Sequence, residues 1–280
     1  MGEWLKLHAL KIIITVVIGL VVYLILQNII PRFVHRTISL RMKNKEKIEI
    51  EKRSRTLSRV LTGTAGLLIC LVVLFTILAE IGINIAPALA SLGIIGVAVG
   101  FGAQSLIKDF INGLFILMEN QYGIGDVVKI AGISGLVEEV NLRRTILRDL
   151  DGVVHYIPNG VINTVSNMTK EFSRVNMNIS VAYREDLDHV IEVINRVCAE
   201  MAEEPIWKGR IKKPPQVLRV DALGDSGIEI KILGETAPSA QWDIMGELRK
   251  RIKREFDREG IEIPWPHMKV IVTGTPIKGA

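Results

Sequence analysis

Cysteine occurs only twice in this 280-residue sequence, at Cys70 and Cys198, and aromatic residues make up 5% of it. Two isolated cysteines cannot supply a metal-ligand or redox spacing, and both read as small apolar packing residues. The five histidines (His8, His35, His155, His189 and His267) are scattered, again without ligand spacing. There is no Walker-type loop, no nucleophile elbow and no paired-carboxylate constellation. Gly100-Phe101-Gly102 matches half of a dinucleotide fingerprint, but it lies inside a long apolar run, where a nucleotide has no place. The residues therefore predict no catalytic site, no metal and no cofactor: the chain reads as something other than an enzyme.

Charge is unevenly placed. The formal net charge of +5 comes from residues 1–121, which carry 13 Lys and Arg against 7 Asp and Glu; residues 122–280 carry 22 against 23. A nucleic-acid-binding protein would carry its basic excess on the soluble half, so nucleic acid is excluded as a partner. Long apolar runs, by contrast, are abundant, and all lie before residue 121.

Three of these runs are long enough to cross a bilayer, which takes about 20 residues. The first covers about 10–30 and stops at Pro31-Arg32; its length and the basic flank after it favour a membrane span over a signal peptide. The second covers about 57–81 and the third about 86–107, with an amphipathic helix expected over 109–121. Between the first two, residues 32–59 hold ten Lys and Arg against three Glu. Such a basic connection marks the cytoplasmic side. The N-terminus is then outside, and everything after about residue 121 is cytoplasmic. Three spans cannot easily enclose a path alone, which favours a homo-oligomer to which each chain gives one lining helix.

The third span differs from the others in its glycines. At about 100° per residue, with Gly93 at zero, Gly96 falls near 300° and Gly100 near 340°, Val97 near 40°, Phe101 near 80°, Ile94 near 100° and Ala98 near 140°. Each glycine costs a helix about 1 kcal/mol relative to alanine, so the stripe calls for close helix contact. Two readings are open. The glycine flank packs on the Ala98 flank of a neighbouring copy and turns Val97 and Phe101 toward a central axis, where apolar rings close a path by dewetting. Alternatively, the stripe serves a tight helix pair within one chain. Beyond Lys108-Asp109 the apolar residues Phe110, Ile111, Leu114, Phe115, Leu117 and Met118 recur at helical spacing, with Gly113 a candidate bend.

Residues 122–172 read as a small β domain, with strands over 127–130, 134–141, 145–149 and 153–157 and turns at Ala131-Gly132, Asp151-Gly152 and Asn159-Gly160. Residues 173–266 read β-α-β-β-α, the order of a ferredoxin-like α/β domain. A final short strand, residues 269–273, is expected within 267–280.

Five stretches together carry a resemblance to a known family: Gly96-Val97-Ala98-Val99-Gly100-Phe101-Gly102-Ala103-Gln104, Gly125-Asp126-Val127-Val128, Tyr156-Ile157-Pro158-Asn159-Gly160, Val181-Ala182-Tyr183, and Arg251-Ile252-Lys253-Arg254-Glu255-Phe256-Asp257. In order and spacing the chain resembles the small-conductance mechanosensitive channel (MscS) family. The resemblance implies a multi-domain membrane protein: three transmembrane helices per subunit, then an Sm-like β domain and the α/β domain around a cytoplasmic vestibule. It further implies a homoheptamer in the cell (inner) membrane, in contact with membrane lipids, that releases ions and small osmolytes under tension. The family's constriction falls on Val97 and Phe101, its glycine flank on Gly93, Gly96 and Gly100, and its facing flank on Ala90, Ile94 and Ala98. Its hinge falls on Ser105, where the family often has glycine, or on Gly113. The rivals are a membrane-anchored transporter and a non-mechanical ion channel with a cytoplasmic regulatory domain. The third span holds no ionisable residue between Ala86 and Gln104 of the kind a transporter places at mid-membrane.

Overall fold

The computed structural model describes residues 2–41, 47–266 and 268. It divides into two compact units, 1–102 and 103–280. The dividing line falls inside a helix and not near residue 121, because the end of that helix packs with the β domain.

In the first unit, α1 (Gly2–Arg41) and α2 (Lys47–Glu80) pack side by side, and α3 (Ala86–Met118) follows. Each contains a stretch long and apolar enough to span a membrane: His8–Ser39, Ile50–Glu80 and Ala86–Met118. All three exceed what a bilayer core requires. Pro31 ends the apolar run of α1 but not the helix, which continues ten residues further. An interior proline removes one helical hydrogen bond and costs about 3 kcal/mol in water. Here the carbonyl it frees, that of Gln27, lies near the end of the apolar run, where polar partners are available. The basic segment 32–59, read as a connection, is largely helix: its two sides extend α1 and α2.

Small residues set the α1–α2 spacing. A Cβ on Gly19 would stand 2.5 Å from Val73 Cγ2, and one on Gly66 would stand 3.0 Å from the Tyr23 ring. Nearer residue 40, Val34, Ser54 and Ser58 are buried in the same seam. At the opposite end Glu80 Oε1 forms an ion pair with Lys11 Nζ at 2.9 Å and lies 3.6 Å from His8 Nε2.

The second unit begins with the end of α3 and a five-stranded antiparallel sheet. Its strands are β1 (Val127–Ile130), β2 (Ile133–Val140), β3 (Arg144–Arg148), β4 (Val154–Pro158) and β5 (Val165–Asn167), in the order β4-β3-β2-β1-β5. Alternating residues fill its core: Val128, Ile130, Val137, Leu147 and Ile157, with Tyr122, Ile162 and Ile116 of α3. The three-residue β5 has no strand signal in the sequence and forms because Asp126 holds it. Asp126 Oδ2 accepts from Gly123 N and Asn167 Nδ2, both at 2.9 Å, and Oδ1 accepts from Thr169 Oγ1 at 3.1 Å. Burial works to raise the Asp126 pKa, but these hydrogen bonds outweigh it and hold the carboxyl below its ordinary value.

The rest is β6 (Ser173–Val181), α4 (Leu187–Glu203), α5 (Pro205–Lys208), β7 (Ile211–Leu223), β8 (Ile228–Thr236) and α6 (Gln241–Glu259). The order β6-β8-β7, antiparallel throughout, is the split β-α-β expected of a ferredoxin-like domain. Asp186 caps α4, accepting from the N–H groups of Asp188 and His189. Val190, Val193, Ile194, Val197, Cys198 and Met201 of α4, and Ile244, Leu248, Ile252 and Phe256 of α6, repeat at helical spacing and cover the sheet. The one-turn α5 carries no periodicity to announce it. The expected strand at 269–273 lies outside the described residues.

Burial pushes the Cys198 thiol up to about 12. At pH 8 only about one thiol in ten thousand would be thiolate, the reactive form. In a Cys70→Ser background, maleimide at pH 8 is expected to leave Cys198 unmodified until denaturant is added. Rapid labelling of the native protein would contradict the packing of α4.

Candidate pore helix and its cytoplasmic dock

Two parts of α3 behave in opposite ways. Ten consecutive residues, Gly93–Gly102, are all exposed, including Ile94 (74%), Val97 (60%) and Phe101 (73%). Among the described residues no heavy atom would lie within 4 Å of a Cβ placed on Gly93, Gly96, Gly100 or Gly102. Among the described residues the glycine stripe therefore meets no other helix of its own chain, as the reading of a helix pair within one chain would require. Ala90, Ile94 and Ala98, the expected facing flank, are exposed as well.

Past residue 108 the same helix becomes anchored. Asp109, Gly113 and Ile116 are buried, and with half-buried Asn112 they occupy positions i, i+3, i+4 and i+7. Asp109 Oδ1 accepts from Gly160 N at 2.7 Å, and Asn112 Nδ2 donates to Asn159 O at 3.1 Å. The turn after β4 thus grips one face of α3.

Asn159 is the centre of this grip and is wholly buried. Its Nδ2 donates to Asn141 O at 2.7 Å, its Oδ1 accepts from Thr145 Oγ1 at 3.0 Å, and its backbone N donates to Arg143 O at 2.9 Å. Thr145 Oγ1 also meets Tyr122 OH at 2.8 Å. Burial raises the Tyr122 pKa, and the bond to Thr145 offsets part of that rise. Glycines allow the close approach. A Cβ on Gly113 would stand 2.0 Å from Leu142 O and 2.4 Å from Asn159 Nδ2, and one on Gly160 would stand 2.5 Å from Asp109 Oδ1.

Ser105 and Gly113, the expected hinge positions, both lie inside an unbroken helix. The structure gives Gly113 another reason: contact with the β2–β3 turn leaves no room for a side chain. Sequence reasoning found the Asn159-Gly160 turn but not its role as an anchor. The signal was Asp109, Asn112 and Gly113 sharing one face beside an apolar stripe. That stripe (Phe110, Ile111, Leu114, Phe115, Leu117 and Met118) faces away from the dock and stays exposed. Among the described residues no three His, Cys, Asp or Glu side chains cluster as metal ligands.

Three family regions match in succession. Residues 60–104 match "Mechanosensitive ion channel, transmembrane helices 2/3", residues 105–170 match "Mechanosensitive ion channel, beta-domain", and residues 175–263 match "Mechanosensitive ion channel MscS, C-terminal". The small-conductance mechanosensitive channel of Caldanaerobacter subterraneus subsp. tengcongensis is 35% identical over 234 residues, which are 83% of this chain and 82% of the relative. The chain belongs to the MscS family. An uncharacterized MscS family protein of Archaeoglobus fulgidus is 32% identical over 261 residues, 91% of this chain and 86% of that protein. The fold is shared with the closed-state crystal structure of Helicobacter pylori MscS, at a TM-score of 0.66 and 22% identity over 93% of this chain and 99% of that one. MscS proteins are membrane oligomers and a kind of protein other than enzymes. The boundary between the first two family regions, at 104/105, falls close to the point where α3 passes from exposed to docked.

The dock yields a contrast between two glycines of one helix. Gly113→Ala is expected to displace the β2–β3 turn, since the clash is with backbone and overpacking of this kind typically costs about 1–3 kcal/mol. Gly100→Ala meets no atom of its own chain and is expected to leave that turn unchanged. Hydrogen exchange of the amides from 141 to 144 and of Asn159 reads the difference: faster in Gly113→Ala, unaltered in Gly100→Ala. Equal protection in both would remove the close approach.

Proposed function

We propose that this chain is one subunit of a homoheptameric channel in the cell inner membrane, opened by membrane tension and releasing ions and small osmolytes on hypo-osmotic shock. The observation that carries the reading is the exposure of every residue of Gly93–Gly102, an uncharged apolar helix segment whose glycines face no other part of the chain among the described residues. Such a segment needs cover from lipid or from other copies. Glycines costing about 1 kcal/mol each point to copies at close range.

Around a ring, the flank of Gly93, Gly96 and Gly100 would pack on the flank of Ala90, Ile94 and Ala98 from the next subunit. Val97 and Phe101 would then face the axis and form stacked apolar rings, a constriction from which water withdraws. Ile94 is bulky for that flank and sets the closest approach of neighbours. Tension favours the state of larger area, and the ring widens by sliding one helix on the next. Movement at Ser105 or Gly113 would accompany it, at Gly113 only if the dock loosens. No side chain has a catalytic role in this scheme.

Patch recording under graded suction on the reconstituted protein tests the proposal. Wild type is expected to open with tension, Phe101→Ser at lower tension, and Gly100→Ala at higher tension, because the added methyl must ride over Ala98 of the next copy. A wild type indifferent to tension ends the reading; unchanged thresholds in both variants end the assignment of gate and sliding contact.

The ten Lys and Arg within 32–59 support an orientation with that stretch and the β and α/β domains in the cytoplasm. An impermeant thiol reagent applied to intact cells is expected to label a cysteine introduced at Gly2 and to miss one at Lys278. The reverse pattern would invert the topology.

A further inference from the structure

The seam between α1 and α2 opens, near its basic end, into a cavity of about 800 Å³. Arg32 and Arg36 line it from α1 and Arg55 and Arg59 from α2, with His35 beside them and Glu51 as the one acidic lining residue. On each helix the two arginines are four residues apart, so each pair stands on a single face. No carboxylate pairs with any of the four among the described residues, whereas elsewhere in the chain Arg148 pairs with one and Arg196 and Arg251 with two each. Four arginines lining one open groove repel one another, and Glu51 offsets only one of their charges.

Depth identifies the anion. Arg32 follows the end of the α1 apolar run directly, and Arg59 sits where the apolar run of α2 begins. Arg36 and Arg55 lie one turn farther out, about 6 Å at the helical rise. This span corresponds to the headgroup layer, roughly 5–8 Å thick on each side of the hydrocarbon core. A guanidinium fork matches a phosphate with two parallel hydrogen bonds, and an ammonium does not. The pocket carries three more positive charges than negative with His35 neutral. A zwitterionic headgroup would bring in its own ammonium and leave that excess standing, while an anionic one would neutralise it. Buried Ser54 and Ser58 in the lining keep the helices close below the cavity without filling it.

We propose that this cavity is a binding site for the phosphate of an anionic phospholipid of the basic-side leaflet, held by Arg32, Arg36, Arg55 and Arg59. The site rests on the membrane reading of α1 and α2 and not on gating. A bound lipid ties the ends of two helices that would otherwise repel.

Native mass spectrometry of the full-length protein in detergent provides the test, because single lipids are counted there without a membrane surface potential. Wild type is expected to retain phosphatidylglycerol about tenfold more tightly than phosphatidylcholine. Arg36→Gln with Arg55→Gln is expected to abolish that preference. Lys52→Gln with Arg53→Gln, which removes equal charge outside the cavity lining, is expected to keep it. Equal loss in both pairs would reduce the effect to net charge and overturn the site. Displacement of the lipid by inorganic phosphate at comparable concentration would make the ligand a free anion and overturn the lipid assignment. Should the cavity pair fail to assemble, the wild-type comparison decides alone: no preference for phosphatidylglycerol refutes the proposal. All these outcomes leave the tension response to be judged separately.

Discussion

An apolar helix must be covered, and the described residues of the chain leave the first half of α3 uncovered. Much of the architecture follows from that. α1 and α2 satisfy each other along a seam of small residues, at Gly19, Gly66, Ser54 and Ser58, and leave their outer faces to lipid. Gly93–Gly102 has no such partner among the described residues. Its glycines would be a needless loss of helix stability in a segment facing only lipid, where alanine or leucine serves better. The stripe makes physical sense when a second helix lies against it.

The other end of α3 is constrained by polar groups removed from water. Asn159, Thr145 and Asp109 are buried, and each unsatisfied polar atom there would cost about 1–3 kcal/mol. All three find partners, and the partners come from α3, the β2–β3 turn, β3 and the turn after β4. The network therefore holds only when these four pieces meet in one arrangement. That gives the helix a fixed rotational setting about its axis at residue 109, a setting that apolar packing alone would leave loose.

Much of this was legible from residue order, for reasons particular to each element. β1 and β2 alternate inward and outward residues on either side of the Ala131-Gly132 turn, so their period is plain, whereas three consecutive residues of β3, Thr145, Ile146 and Leu147, are all buried. α4 and α6 carry long periodic stripes, and Asp186 marks the start of the first. The failures are equally specific. Pro31 ends an apolar run, but its helix continues where polar groups can meet the freed carbonyl. β5 is too short for a period and depends on Asn167 and Thr169 reaching Asp126 some 41 and 43 residues away. Residue order offers Gly113 as a candidate bend but cannot show the close approach of Leu142 and Asn159 that leaves no room for a side chain there. The dock itself is a tertiary pattern: sequence spacing places Asp109, Asn112 and Gly113 on one face but does not say what that face meets.

The dock also bears on how such a protein can change over evolutionary time. Every α3 position in it, Asp109, Asn112, Gly113 and Ile116, comes after residue 108, and every residue assigned to the constriction and its flanks comes before residue 102. The two sets share no member and are separated by nearly two turns of helix. Substitutions that widen, narrow or polarise the apolar half can therefore accumulate without disturbing the mount, and the mount can be inherited intact beneath many different apertures. A graft made between residues 102 and 108 would exchange one such aperture for another and leave the cytoplasmic scaffold as it was.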